Sequence, residues 1–150
     1  MENQDAVRKE VSQLLARQLL AVLATQEAGQ PYASLLAFAV DSDLAGIFLA
    51  SDRNTRKFKN IEKDNRVALL IDDRANQSAD FQAAAAVTII GKACELQGRA
   101  VEEARAIYLA RHPTLAGFVM APHTALLRVA VSRYILVTRF QEAVVLDMDG

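Results

Sequence analysis

Apolar residues follow two spacings along the chain, one typical of amphipathic helices and one typical of strands. Residues 5–18 have the helical spacing, and Asp5 is the predicted N-cap of that helix. Its apolar face consists of Val7, Val11, Leu14 and Leu15. Residues 55–64 and 100–111 have the same spacing, and the second of these stretches ends before a proline. The pattern therefore predicts three helices, well separated along the chain.

The apolar runs between these helices are short and bounded by turn residues, as is typical of β-strands. Runs 19–25 and 31–40 flank a turn at Gly29 and predict a hairpin. Residues 73–82 are a polar loop, and residues 114–122 fit no single element. The remaining predicted strands are 47–51, 66–72, 85–96, 124–131 and 133–140, and the tail after them is expected to be partly paired.

Short turns join the first three predicted strands, so these strands are expected to form an antiparallel meander. Six or seven such strands, interrupted by short helices, predict a closed or nearly closed antiparallel barrel of the α+β class. The alternative is a parallel sheet built from βαβ units. It is less favourable because no helix separates the first three strands.

The composition fits one domain over residues 1–150 and argues against several classes of function. The chain is 52% hydrophobic, which is enough for a sizeable core. Seventeen basic and eighteen acidic residues argue against a globally basic nucleic-acid-binding protein. One cysteine and two histidines leave no disulfide framework, and we expect no metal site. We expect a cytoplasmic protein without a membrane segment, because no apolar run reaches spanning length.

The helix predicted over residues 55–64 carries its charges in the order that the helix dipole disfavours. Glu62 and Asp64 stand at its C-terminal end, where cations are normally preferred. Basic residues crowd its N-terminal end, namely Arg53, Arg56, Lys57 and Lys59. The helix predicted over residues 100–111 has the opposite, favourable order, so the reversal is specific to one helix.

A bound anion would offset this repulsion. Backbone N–H groups at the helix start, the hydroxyls of Ser51 and Thr55, and the side chains of Arg56 and Lys57 together predict a phosphate-binding site. The alternative is that the charges are solvated surface groups and that Thr55 is simply an N-cap.

The run over residues 51–72, S-x-x-x-T-R-K-F-K-N-I-x-x-x-x-R-V-A-L-L-I-D, resembles FMN-binding split β-barrel proteins related to pyridoxamine 5′-phosphate oxidase. Where that family has Asn-Pro-Arg-Val before its next core strand, this chain has Asp-Asn-Arg-Val at 64–67. The resemblance extends to the hairpin that begins at Pro31 and to the stretch Tyr-Leu-Ala-Arg-His-Pro at 108–113. That stretch is also similar to haem-degrading relatives of the same barrel.

The resemblance implies a six- to seven-stranded split barrel that binds FMN and pairs into a homodimer with a shared flavin site. It implies an oxidoreductase acting on an unspecified small molecule, with no catalytic residue assigned. The flavin-binding residues that it implies, or that neighbouring loops could add, are Ser34, Leu35, Leu36, Ala50, Ser51, Thr55, Arg56, Lys57, Asn76 and Gln77. Arg128, Arg133 or Arg139 could reach the site from the second subunit.

Other residues receive structural interpretations. We expect His112 to bind carbonyl groups at a helix end, His123 to be solvated, and Cys94 and Tyr108 to lie in the core. Three other functions remain open: haem binding or degradation through a histidine, a non-catalytic flavin-binding module, and nucleic-acid binding through the basic cluster at 53–59. The last rests on charge alone.

Overall fold

A computed structural model describes residues 3–139 and 142–149. Its strands are β1 Leu20–Glu27, β2 Gln30–Val40, β3 Gly46–Asp52, β4 Arg66–Asp72, β5 Ala85–Glu95, β6 Thr124–Thr138 and β7 Glu142–Asp147. Its helices are α1 Gln4–Arg17, α2 Arg56–Lys63, α3 Asp80–Ala83, α4 Arg99–Arg111 and α5 Ala116–Val119. A single 3₁₀ turn, Pro113–Leu115, stands between α4 and α5.

All strand pairs are antiparallel, and the strand order is β3-β2-β1-β4-β5-β6-β7. An additional pairing of β3 with β6 closes the first six strands into a barrel. Strand β7 lies outside this closure and pairs only with β6 among the described residues. The predicted α+β barrel of six to seven antiparallel strands with short helices is therefore confirmed.

The last core strand differs from its prediction. Residues 124–138 form one continuous strand rather than two strands separated at Ser132. Gly91 pairs with Val131 whereas Ile90 pairs with Arg133, so Ser132 is the extra residue of a β-bulge. Its hydroxyl donates a hydrogen bond to the Ile90 carbonyl at 3.1 Å. Before the bulge β6 pairs with β3, and after it β6 pairs with β7.

The barrel interior holds the main core, and α1 covers one of its ends. The predicted apolar face of α1 is buried, but the N-cap is Asn3 rather than Asp5. The Asn3 side chain accepts a hydrogen bond from the Asp5 N–H, which places Asp5 inside the first turn. A second apolar cluster lies outside the barrel, where α4 and α5 pack on β2, β3 and β6. Tyr108 of α4 belongs to it and is only 1% exposed, as predicted.

Cys94 is exposed, so its prediction as a core residue is wrong. Side chains alternate between the two faces of a strand, and in β5 the neighbouring Ala93 takes the inward position with 2% exposure. Among the described residues, no helix is both long and apolar enough to cross a bilayer.

Candidate functional site

Strands β2 and β3 of the barrel are hydrogen-bonded over only part of their length. These strands pair at only three positions, which are Phe38 with Leu49, Ala39 with Phe48, and Val40 with Ile47. Strand β3 continues to pair with β6 along its whole length, so residues 30–37 of β2 pair only with β1. We call the gap between residues 30–37 of β2 and residues 50–52 of β3 the split.

Backbone hydrogen-bonding groups line both edges of the split. The Phe38 N–H donates to the Leu19 carbonyl at 3.3 Å and therefore points toward β1. In an antiparallel ladder successive residues point to opposite edges, so the backbone groups of Ala37 and Leu35 point into the split. On the other edge, the Gly46 carbonyl accepts a hydrogen bond from the Asp41 N–H and therefore points toward β2. By the same alternation, the backbone groups of Ala50 also point toward β2.

Two hydroxyl groups stand at the end of β3 and the start of α2. Thr55 is the N-cap of α2, and its Oγ1 accepts a hydrogen bond from the Phe58 N–H at 3.4 Å. The Ser51 Oγ lies 3.1 Å from Thr55 Oγ1, and both hydroxyls contact the Asp52 carbonyl. Ser51 is 1% exposed. The two predicted hydroxyls thus form one preorganised unit.

Arg56 and Lys57 occupy the first turn of α2, which contains no acidic residue. The Arg56 guanidinium lies 6.0 Å from the centre of the Tyr32 ring on β2, and its Nη1 lies 3.5 Å from Glu27 Oε2. Lys57 is partly exposed and forms no ion pair with any described residue. The structure therefore brings Ser51, Thr55, Arg56 and Lys57 together, beside the split.

Glu27 is a neighbour of this site that the sequence analysis missed. It comes from the β1–β2 hairpin and binds both Arg56 and Lys63, at opposite ends of α2. The Lys63 ammonium, 2.5 Å from Glu27, holds the pKa of that carboxyl below its usual value, with a smaller contribution from Arg56. Glu27 therefore offsets part of the misplaced positive charge on α2, and it leaves the charge of Lys57 unpaired.

A surface hollow of about 600 Å³ lies along the outward side of α2. It is lined by Glu27, Asn54, Arg56, Lys59, Asn60, Glu62 and Lys63. Asn60 is 2% exposed and donates from Nδ2 to the Thr25 hydroxyl at 3.1 Å, which ties α2 to β1.

The three predicted residues on β2 face two directions, Ser34 and Leu36 inward and Leu35 outward. Leu35 is 66% exposed on the outer face of the sheet, whereas Leu36 packs against the barrel core. Ser34 lies opposite the fully buried Leu23 and therefore faces the barrel interior. Its Oγ is buried and has no hydrogen-bond partner among the described residues. A buried hydroxyl without a hydrogen-bond partner is costly.

Asn76 and Gln77 do not join this group within one chain. They follow β4 at the end opposite to Arg66, which is about 20 Å along a seven-residue strand. The carboxylate of Asp80 accepts hydrogen bonds from the backbone N–H groups of both residues, at 2.7 and 3.1 Å, and from that of Ala75. These bonds lower the pKa of Asp80, with the bond from Ala75 contributing most.

The arginines considered for a second subunit are partly engaged within the chain. Arg128 Nη2 lies 3.5 Å from Asp41 Oδ2, and Arg133 Nε lies 2.7 Å from Asp147 Oδ1. Arg139 is exposed in the turn after β6. His123 is exposed in the segment before β6, as predicted. Within residues 3–139 and 142–149, no group of three His, Cys, Asp or Glu side chains could hold a metal ion.

Tyr108 of α4 and His112, the residue that caps the C-terminal end of α4, bind the β2 backbone where the split begins. The Nε2 atom of His112 lies 2.6 Å from the Phe38 carbonyl, and the Tyr108 hydroxyl donates to the Ala37 carbonyl at 3.3 Å. His112 is 6% exposed, and burial raises the pKa of Tyr108 to about 12. The expectation that His112 binds a carbonyl is confirmed, although the carbonyl belongs to a strand and not to a helix end.

Comparison with known proteins shows the family of this chain. The family model described as "Pyridoxamine 5'-phosphate oxidase" matches residues 7–138, which is most of the chain. The chain belongs to the pyridoxamine 5′-phosphate oxidase family. The resemblance inferred from residues 51–72 is therefore confirmed. No curated protein matches the chain in sequence.

Solved structures share the fold of this family member at low sequence identity. A heme-binding protein from Mycobacterium smegmatis superposes with a TM-score of 0.84 at 19% identity, over 98% of this chain and 59% of the other. ChuZ from Campylobacter jejuni gives a TM-score of 0.82 at 16% identity, over 99% and 62%. A FAD-binding protein from Mesorhizobium loti gives 0.71 at 18% identity, over 86% and 90%.

These likenesses show the fold alone. The chain spans about three fifths of the length of the first two proteins.

Proposed function

We propose that this family member binds FMN at the split, as a homodimer, and uses the flavin in an oxidoreductase reaction on a small molecule. The observation that carries the proposal is the paired hydroxyls of Ser51 and Thr55 beside two cations at the start of α2. A phosphate there would meet helix N–H groups and the charge of Lys57, which forms no ion pair with any described residue, and the two hydroxyls could turn from the Asp52 carbonyl to donate to it. The phosphate would be attracted both to these cations and to the positive end of the helix dipole, and this attraction would offset the repulsion between them.

The split suits the ring end of the same ligand. The backbone N–H and C=O groups of Leu35 and the N–H of Ala37 can bond the polar pyrimidine edge of a flavin, and the Ser34 hydroxyl has no hydrogen-bond partner among the described residues. A bound flavin supplies hydride-transfer chemistry that no side chain can provide. The chain's own residues would bind the phosphate, orient the ring and exclude water from its inner face. No residue of the chain is assigned a catalytic role.

The outer face of the sheet favours a second copy of this chain as partner. Leu20, Leu35 and Leu70 are 52%, 66% and 38% exposed on this face. The strand register places Val22 between Leu35 and Leu70, so the apolar residues form one continuous stripe across β2, β1 and β4. A contiguous apolar stripe on a small domain is typical of an interaction surface.

A dimer through this stripe also accounts for the remote Asn76 and Gln77. A hollow of about 410 Å³ runs from Leu35 and Leu70 to Asp72 and Arg74. The loop that carries Asn76 and Gln77 therefore begins beside the proposed interface. Pairing of two copies there would carry this loop toward the partner's split.

Titration with FMN tests the proposal. Purified protein is titrated with FMN and quenching of flavin fluorescence is followed, for the unchanged chain, for Arg56→Ala/Lys57→Ala and for Lys59→Ala/Lys63→Ala. The control removes the same charge from the same helix, away from the hydroxyl pair. The first double variant should weaken FMN binding about 100-fold or more, because each charge-assisted hydrogen bond contributes about 1.5–3 kcal/mol. The control should bind within a few-fold of the unchanged chain.

Failure of the unchanged chain to bind FMN at high micromolar concentrations would overturn the proposal. If FMN binds, bleaching of the bound flavin by NADH or NADPH separates an oxidoreductase from a non-catalytic flavin-binding module. A protein that binds FMN but is not reduced under any supplied donor supports the module.

Haem binding is the second candidate function, because the structure with a TM-score of 0.84 is a heme-binding protein. His112 is poorly suited as an iron ligand, since its Nε2 already lies against the Phe38 carbonyl. His123, which is exposed, would have to serve. A Soret band that shifts on haem addition and is lost in His123→Ala favours this function. An unchanged spectrum excludes it. A cytoplasmic location remains a prediction.

A further inference from the structure

Tyr108 and His112 bind two consecutive carbonyl groups of β2 at the point where its pairing with β3 stops. Their rings are 5.0 Å apart, with Tyr108 in the last turn of α4 and His112 as the C-cap residue that follows it. Ala37 is the first residue of β2 beyond the last β2–β3 pair, which joins Phe38 to Leu49. The two contacts thus coincide with the beginning of the split.

The Ala37 carbonyl is the acceptor that further pairing of β2 with β3 would require. Extending the observed register by one residue would place Ala37 opposite Ala50, with their backbone groups facing each other. The Tyr108 hydroxyl binds this carbonyl instead. A side-chain donor therefore binds the carbonyl that the Ala50 N–H would bind in a fully paired barrel.

Helix α4 is anchored so that this donor stays in place. Nη2 of Arg111 donates to the carbonyls of Ala16 and Gln18 at 2.6 and 2.8 Å, which ties α4 to the segment before β1. Tyr108 is 1% exposed and packs between the α4–α5 layer and the barrel. The Arg111 hydrogen bonds and the packing of the Tyr108 ring thus together fix the position of the hydroxyl.

We propose that Tyr108, supported by His112, is a positioning residue that keeps the barrel split open for its ligand. Its hydroxyl prevents β3 from pairing with β2 beyond Phe38, and so leaves the edges at Leu35 and Ala50 available. The effect on ligand affinity rests on the proposed function, whereas the effect on strand pairing does not. Tyr108 would act through the β2 backbone and would not touch the ligand.

Removal of a single oxygen atom tests this role, and the chain offers a matched control. Tyr134 is also a fully buried tyrosine, and its hydroxyl also donates to a backbone carbonyl, that of Leu44, at 2.7 Å. That carbonyl lies in the β2–β3 connection, at the end of β3 opposite to Ala50. Tyr108→Phe and Tyr134→Phe therefore each delete one hydrogen bond from a buried tyrosine to a backbone carbonyl, and only the Tyr108 bond lies at the split.

Two measurements are made on both variants. Amide hydrogen exchange in the ligand-free protein should show slower exchange at Ala37 and Ala50 in Tyr108→Phe, because the strand edges can now pair. FMN titration should show about three- to tenfold weaker binding for Tyr108→Phe and unchanged binding for Tyr134→Phe. Both variants should lose a similar amount of stability, so stability alone does not explain the difference. His112→Gln, which retains a donor, should bind FMN better than His112→Leu.

Unchanged exchange at Ala37 and Ala50 in Tyr108→Phe would overturn the inference, and so would equal exchange in the two tyrosine variants. Slower exchange in Tyr108→Phe without any FMN binding by the unchanged chain would support the positioning role and contradict the proposed function. The two hypotheses therefore fail separately.

Discussion

The Ser51 and Thr55 hydroxyls lie 3.1 Å apart, although one ends a buried strand and the other begins a helix. Both also donate to the Asp52 carbonyl, so a hydrogen-bonded turn of these three polar groups connects β3 to α2. This turn places the start of α2 against the end of β3, next to the split. The cap of the helix and the proposed phosphate site are thus the same group of atoms.

Loss of the Thr55 hydroxyl should therefore destabilise the protein even without a ligand. Thr55→Ala removes the acceptor for the Phe58 N–H and should lower the free energy of unfolding by about 1 kcal/mol. Thr55→Ser retains the acceptor and should be close to the unchanged chain. Urea unfolding followed by circular dichroism measures the difference. Equal midpoints for the alanine and serine variants would contradict the capping role.

Stability should fall in acid through Asp64. The Arg66 side chain, which binds both carboxylate oxygens of Asp64, lowers its pKa to about 2, with help from the Arg66 N–H. The ordinary pKa is about 3.9, so the unfolded chain binds more protons in this range. The contribution of Asp64 is complete above pH of about 4 and is lost as the pH falls toward 2. Urea midpoints measured across this range should fall less steeply in Asp64→Asn. Parallel curves would show that Asp64 does not contribute.

Gly91→Ala should be much more damaging than Gly46→Ala. A Cβ atom at Gly91 would lie 2.5 Å from the Ala130 carbonyl oxygen, which is backbone and cannot move without disturbing the bulge. A Cβ atom at Gly46 would meet the Arg128 guanidinium, the far end of a flexible side chain. We expect a cost of about 1–3 kcal/mol at Gly91 and a smaller cost at Gly46. Thermal unfolding of both variants checks the order, and the reverse order would refute it.

A charge in the apolar stripe should separate the proposed dimer. Leu20→Glu places a carboxylate on that apolar face, whereas Met120→Glu places one on an exposed residue after α5. Sedimentation analysis should give a monomer of 16.4 kDa for Leu20→Glu and twice that mass for Met120→Glu and the unchanged chain. A monomeric unchanged chain at micromolar concentrations would contradict the dimer.

Local patterns predicted most of the fold because they depend on neighbours in sequence. The strand over residues 66–72 has the predicted bounds, and the helix predicted over 55–64 is present as α2. The division at Ser132 was wrong because its bulge depends on Gly91 of the adjacent strand, about forty residues away. The exposure of Cys94, by contrast, follows from the alternation along β5, because Cys94 shares a face with Thr88 and Lys92 while Ala93 faces inward.

The site divides in the same way. Ser51, Thr55, Arg56 and Lys57 are near one another in sequence, and a reversed charge pattern identified them together. Glu27 comes from another part of the chain, and nothing near it in sequence indicates its partners. The roles of Tyr108 and His112 depend on carbonyls of β2, which carry no side-chain signature at all.

The pairing of β3 with β6 limits when the barrel can close during synthesis. Strand β3 pairs with β6 across roughly 70–85 intervening positions. The barrel therefore cannot close until the residues of β6 have been synthesised. Pairing between such distant segments is slow to form. A nascent chain that ends before β6 would expose the inner faces of β3 and β5. Ribosome-bound intermediates of this protein should therefore close the barrel only when β6 emerges.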